Sequence, residues 1–184
     1  MAEGARVERH AWAVTTPGPE GTARVGEALG QRLEAGDVVT LQGPLGAGKT
    51  TFVRGMARGL GIAESAILSP TFLYVREVRG GRLALYHVDG YRLAGGRVEA
   101  AEAEALMEEL GLDWYLQAGG VVAVEWPEPV LEMLPAERFA VRLEFGPAGQ
   151  EGERILTLEG LGRRPARVVA ELAREYGRAP AKRP

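Results

Sequence analysis

The sequence predicts an α/β fold: a sheet with a parallel centre and antiparallel flanking strands, with helices on both faces. Three observations predict it. Two runs of buried-strand type, Asp37 to Gln42 and Val121 to Glu125, alternate with segments of helical period. Gly80-Gly81 separates two further strand-like runs as a hairpin turn would. A late strand pair, Phe139 to Phe145 and Arg154 to Glu159, is divided by a Gly/Pro loop.

In chain order, Arg9 to Val14 reads as a short edge strand. Thr15 to Glu20 is a turn into a helix that carries Val25, Leu29 and Leu33 at helical spacing and ends at Gly36. After the strand Asp37 to Gln42 come a glycine-rich loop and a helix from about Lys49 to Leu60. Leu73 to Val78 and Arg82 to Val88 form the hairpin around Gly80-Gly81. Val98 to Leu110 is a helix with Gly111 as its C-cap and Glu102, Glu104, Glu108 and Glu109 on its wet side. Pro165 to Tyr176 is the final helix. No repeat or linker interrupts the chain. The expected organisation is a single domain over residues 1–162, with a C-terminal helix and basic tail, 163–184, attached to it. The last eight or so residues read as disordered.

Composition narrows the function classes. The 184 residues are 46% apolar and 26% charged, the balance of a soluble globular protein large enough to bury a core. No apolar run approaches the length needed to span a bilayer, and Met1 to Arg9 is too charged for a signal peptide. The expected location is cytoplasmic, with no membrane partner. Without cysteine, thiol catalysis and cysteine zinc sites are excluded. A net charge of −3 argues against a free-standing nucleic-acid binder. From Arg163 onward, however, seven Lys/Arg face two acids, so that end carries +5. Such a tail can dock on RNA or an acidic partner, or be a solvated helix end. The only lysines are Lys49 and Lys182, and that scarcity sets Lys49 apart.

Gly43-Pro44-Leu45-Gly46-Ala47-Gly48-Lys49-Thr50 matches G-x-x-x-x-G-K-[ST] at every fixed position, between a buried strand and a helix. At this composition a chance match is on the order of a few in a thousand. Glycines let the backbone curl so that successive N–H groups form an anion nest, to which the helix N-terminus adds partial positive charge. Lys49 reaches the β/γ-phosphates of a nucleotide, and the Thr50 hydroxyl ligates Mg²⁺. A dinucleotide fingerprint fails here, because the third glycine is missing and a cation takes its place. The fold class thus becomes a P-loop NTPase-like sheet. An Asn-Lys-x-Asp guanine motif is absent, since the chain has no Asn, so adenine is favoured by elimination.

Mg²⁺ needs a carboxylate at the end of a neighbouring strand. Glu125 ends the apolar run Val121 to Val124, and Asp89 ends Leu83 to Val88. The plainer reading of either is a strand-end acid facing water. Ser69-Pro70-Thr71-Phe72 is placed for a γ-phosphate-sensing threonine, or is a turn. His87 reads as a packed or hydrogen-bonded histidine rather than a base, and His10 is assigned nothing. Trp126 lines the nucleotide pocket or fills core. Arg92 is a phosphate contact or an exposed salt-bridge partner.

In order along the chain, these segments resemble one family. They are Leu45 to Phe52, Ser69-Pro70-Thr71-Phe72, Tyr86-His87-Val88-Asp89-Gly90-Tyr91-Arg92-Leu93, Glu109 to Asp113, and Val124-Glu125-Trp126-Pro127-Glu128. The sequence resembles the bacterial ATPase subunit of tRNA threonylcarbamoyladenosine biosynthesis, the TsaE/YjeE type, over roughly Thr16 to Leu158. The resemblance implies that Leu45, Gly46, Ala47, Gly48, Lys49 and Thr50, with Thr51 behind them, cradle ATP, while Thr50 and Glu125 hold Mg²⁺. It implies that Asp89 and Thr71 are needed for hydrolysis and that the turn from Gly18 to Thr22 sits by the base. It also implies two partners, a TsaD-type transferase and a TsaB-type paralogue, with tRNA reached through that complex. Pro44 and Gly90 stand where the family commonly has an acidic and an apolar residue, and Gly90 is expected to loosen the Asp89 turn. Two other readings share the P-loop core: a small-molecule kinase, for which Leu93 to Val98 is the only lid-like stretch, and a non-hydrolysing ATP sensor.

Overall fold

The structure is a computed structural model and describes residues 8–68, 74–94, 99–147 and 152–178. Its elements are β1 (Arg9–Pro17), α1 (Gly18–Gly30), β2 (Val38–Gln42) and α2 (Lys49–Gly59), then β3 (Val75–Val78) and β4 (Leu85–Asp89). There follow α3 (Ala100–Glu109), α4 (Leu112–Gln117), β5 (Val121–Glu125), β6 (Arg138–Phe145), β7 (Glu153–Leu161) and α5 (Arg163–Arg178). Short 3-10 helices occupy Glu64–Ala66 and Glu128–Met133.

One sheet runs in the order β1-β7-β6-β2-β5-β4-β3. Its centre, β6-β2-β5-β4, is parallel. β7 and β1 flank it antiparallel on one side and β3 on the other. This is the predicted class. β2 and β5 are apolar on both faces because helices cover both. On one face Val39, Leu41, Leu85 and Ala123 pack with Val25 and Leu29 of α1, Phe52 and Met56 of α2, and Val169 and Leu172 of α5. On the other, Val38, Val88, Val122 and Val124 pack with Ala103 and Met107 of α3 and Leu112 of α4.

Helices α1 and α2 come into backbone contact through glycines, and Arg58 of α2 pairs with Glu27 of α1 at 2.7 Å. A Cβ built on Gly55 would lie 1.9 Å from the Ala23 carbonyl oxygen, and one on Gly26 would lie 2.3 Å from that of Phe52. Glycine within a helix costs roughly 0.5–1 kcal/mol against alanine. Here it lets two backbones touch, and so fixes where α2 begins. α5 is fastened by Arg164, whose guanidinium holds both oxygens of Asp37 at 2.6 and 2.8 Å and the Arg32 carbonyl at 2.7 Å. Arg32 in turn grips Glu175 at 2.5 Å. Part of the basic end is therefore structural. Among the described residues no helix is long and apolar enough to cross a membrane.

Two expectations need correction, and one helix, α4, has no counterpart in the sequence reading. α1 ends at Gly30, well before Gly36, because Arg32 closes it: its side chain takes the Ala28 carbonyl at 2.7 Å and its N–H the Leu29 carbonyl at 2.8 Å. Gly36, at φ +87°, belongs instead to the turn before β2. β1 continues through the expected turn to Pro17, since Thr15 and Thr16 suit a strand and an edge tolerates proline. α4 was not foreseen, being too short to show a helical period. Ser69-Pro70-Thr71-Phe72, most of Leu93 to Val98 and the chain beyond Arg178 lie outside the described residues.

Candidate functional site

The site opens at the C-terminal edge of the parallel strands, where α/β sheets form their crevices. β2 ends at Gln42, the loop turns back, and α2 starts at Lys49. Gly48 makes the turn possible: it caps α2 at φ +104°, a conformation that side-chain-bearing residues rarely adopt. Among the described residues no side chain caps α2, so its first-turn N–H groups are placed for another acceptor. Lys49 is 5% exposed. Its Nζ donates to the carbonyls of Gly43 at 2.7 Å and Pro44 at 3.0 Å, and sits 3.8 Å from the centre of the Trp126 ring. Burial pulls the ammonium below the usual lysine range, against the opposing pull of Glu125, Asp89 and Glu128. Phosphate oxygens would relieve that cost.

The opposite wall comes from β4 and β5, whose register sets Asp89 beside Glu125. Both carboxylates are almost wholly buried. The Thr50 hydroxyl donates to Glu125 Oε1 at 2.8 Å, and His87 Nε2 lies 2.8 Å from the same oxygen. Asp89 Oδ1 accepts the Tyr91 N–H at 2.9 Å, and the Asp89 N–H goes to the Tyr74 carbonyl at 2.9 Å. Gly90 does not loosen this turn. Its N–H reaches the Glu125 carbonyl at 2.8 Å, and a Cβ there would lie 2.3 Å from the Trp126 carbonyl oxygen. Close approach excludes a side chain. Trp126 is held at φ +54°, with its ring between Lys49 and Tyr91, whose ring centre is 5.2 Å away. Lys49, Thr50, Asp89, Tyr91, Glu125 and Trp126, with Leu45, Gly46, Gly48 and Thr51, line an open cleft of about 450 Å³.

A smaller hollow of about 130 Å³ adjoins the other side of the loop, lined by Pro19, Thr22, Thr51, Gly152 and Arg154 with Gly46, Ala47 and Gly48. Thr22 is buried, with its hydroxyl 3.1 Å from that of Thr16. Gly18 is not in the lining but ties the turn to Gly152 through a 3.0 Å backbone hydrogen bond.

The model of the family described as threonylcarbamoyl adenosine biosynthesis protein TsaE matches residues 16–154. The chain belongs to the TsaE family. It is 40% identical over 159 residues to the tRNA threonylcarbamoyladenosine biosynthesis protein TsaE of Bacillus subtilis (strain 168), covering 86% of this chain and 92% of the relative. It is 42% identical over 143 residues to the protein of the same name from Streptomyces coelicolor, covering 76% and 90%. The crystal structure of YdiB from Bacillus subtilis matches with a TM-score of 0.72 at 34% identity, over 94% of this chain and 99% of that one.

In this TsaE-family chain, hydroxyl and carboxylate oxygens are the donors nearest the loop, a set that suits a hard cation. Glu125 accepts the hydrogen bond of the Thr50 hydroxyl, which leaves the lone pairs of that hydroxyl for an ion. Among the described residues no three His, Asp or Glu side chains group as a metal cage. An ion here would draw its remaining ligands from water and phosphate, as Mg²⁺ does.

The structure thus brings Leu45, Gly46, Gly48, Lys49, Thr50, Thr51, Asp89, Glu125 and Trp126 to one cleft, and places Ala47 and Thr22 on the adjoining hollow. Thr71 lies outside the described residues. Arg92 is exposed, 5.2 Å from the centre of the Tyr74 ring, and does not line the cleft. Sequence reasoning passed over Tyr91, Arg154 and the bond from His87 to Glu125. The last had a signal: His87 and Asp89, two residues apart on one strand, must share a face.

Proposed function

We propose that this chain is the Mg²⁺-dependent ATPase subunit of tRNA threonylcarbamoyladenosine biosynthesis, binding and hydrolysing ATP to drive a modification complex. One observation carries the reading: an uncapped helix N-terminus and a buried lysine face two buried strand-end carboxylates across a single cleft. That pairing suits a triphosphate with its metal, and little else.

In this reading Leu45 to Thr51 cradle the phosphates and Lys49 gives up its loop carbonyls for the β/γ oxygens. Thr50 and Glu125 hold Mg²⁺, which when bound neutralises charge on the phosphate oxygens. The hollow beside Thr22 takes the adenine, with Gly18 shaping its edge, and Trp126 backs Lys49. Asp89 orients the attacking water, whose oxygen bonds the γ-phosphorus as the bond to the ADP oxygen breaks, the water's proton passing to the released phosphate. Thr71 senses the γ-phosphate. Residues 1–162 act as one ATPase domain in the cytoplasm, with the 163–184 helix and tail attached. Turnover is weak alone and rises with the TsaD-type transferase and TsaB-type paralogue, through which tRNA is reached.

The test is phosphate release from ATP with and without Mg²⁺, the transferase pair and tRNA. Glu125→Ala should still bind nucleotide but lose turnover by about two orders of magnitude, the scale of one transition-state contact. Undiminished turnover in that variant, or turnover indifferent to Mg²⁺, would count against the reading.

A further inference from the structure

His87 is wholly buried on β4, and the roles above leave it idle. Its Nε2 lies 2.8 Å from Glu125 Oε1, the oxygen that also accepts the Thr50 hydroxyl. A carboxylate only accepts, so the imidazole donates through an Nε2–H. Nδ1 finds no partner among the described residues.

The sheet explains how the two meet. His87 is in register with Ala123, and Asp89 with Glu125, so the imidazole sits one step down the same face from both acids. Ala123 presents only a methyl group opposite the ring. Glutamate has three rotatable side-chain bonds, and the Thr50 hydroxyl, itself a rotor, does not fix it alone.

We propose that His87 is the positioning residue of the Mg²⁺ site. Its Nε2–H pins Glu125 Oε1, so that carboxylate and Thr50 hydroxyl stand ready before Mg·ATP arrives. The inference rests on the Mg²⁺ reading above and adds a residue to it. Supports of this kind typically carry about 10–100-fold of metal affinity.

A fluorescent ATP analogue, titrated in EDTA and then across Mg²⁺ concentrations, tests it with wild type, His87→Leu and His87→Gln. We expect Mg²⁺ to tighten binding in wild type. His87→Leu should need about 10-fold or more Mg²⁺ to reach its midpoint, with affinity in EDTA far less changed. His87→Gln, whose amide N–H can stand where Nε2 stood, should recover most of the loss. A His87→Leu midpoint equal to wild type overturns the proposal, and so does a glutamine variant no better than leucine. An absent Mg²⁺ effect in wild type brings down the Mg²⁺ reading itself, and this inference with it. Nitrogen NMR of the unmutated protein tests the same point without a substitution. With only two histidines, a His10 variant assigns the signals, and His87 should carry its proton on Nε2. A ring with its proton on Nδ1 and none on Nε2 overturns the proposal.

Discussion

The two walls of the cleft are built by opposite means. The phosphate-loop wall is contiguous: one strand, one loop and one helix, offering mostly backbone donors and backed by α1 through a glycine seam. The acid wall gathers Asp89, Glu125 and Trp126 from two strands that meet only through sheet register, and it offers side chains. The first wall therefore tolerates side-chain change at its rim, where Leu45 is 71% exposed, but not added atoms behind it. The second depends on each group singly, because no neighbour in sequence can replace it.

Lys49 and Thr50 are the exceptions on the first wall, and removing Lys49 gives the largest effect expected. Lys49→Ala should weaken ATP binding at least 100-fold, roughly 3 kcal/mol or more, because the charge-assisted bonds to phosphate vanish. Calorimetry reads this directly, and near-wild-type affinity would mean that backbone donors alone hold the nucleotide. Next comes the seam behind the loop. Gly55→Ala drives a methyl into the Ala23 carbonyl, at 1.9 Å before any relaxation. It should cost about 1–3 kcal/mol of stability, as overpacking does. A urea midpoint unchanged from wild type would show that α1 can move away and that the wall is not braced.

The contrast also explains what could be read from sequence. The loop wall was legible because its chemistry is local: strand, glycines, lysine and threonine stand in one run with the helix they begin. The central strands were legible too, since burial on both faces leaves apolar runs. On the acid wall Asp89 and Glu125 could be named as strand-end acids, but the register that sets them side by side joins residues far apart in the chain. The bond from His87 to Glu125 is a product of that register. The end of α1 was misplaced for a related reason: the side chain of Arg32, and not a glycine, stops the helix. The left-handed backbone at Trp126 leaves no mark in sequence, because tryptophan is among the residues least expected there.

Trp126 joins the two walls, and the smallest effect sharpens the comparison most. Its ring lies 3.8 Å from Lys49 Nζ, an attraction worth about 0.5–2 kcal/mol depending on desolvation. Its backbone, at φ +54° and followed by Pro127, is strained by roughly 1–2 kcal/mol against an ordinary conformation. Trp126→Leu and Trp126→Gly both delete the ring, so ATP affinity should fall by a similar few-fold factor in each. They differ in backbone. Glycine elsewhere loses about 0.5–1 kcal/mol to unfolded-state entropy, yet here it escapes the left-handed penalty. Trp126→Gly should therefore equal or exceed Trp126→Leu in stability by up to about 1 kcal/mol, reversing the usual order. If glycine is the less stable of the two, the turn after β5 holds no strain. The turn that carries Trp126 would then be set by the backbone hydrogen bonds to Gly90 and Leu41 and not by strain.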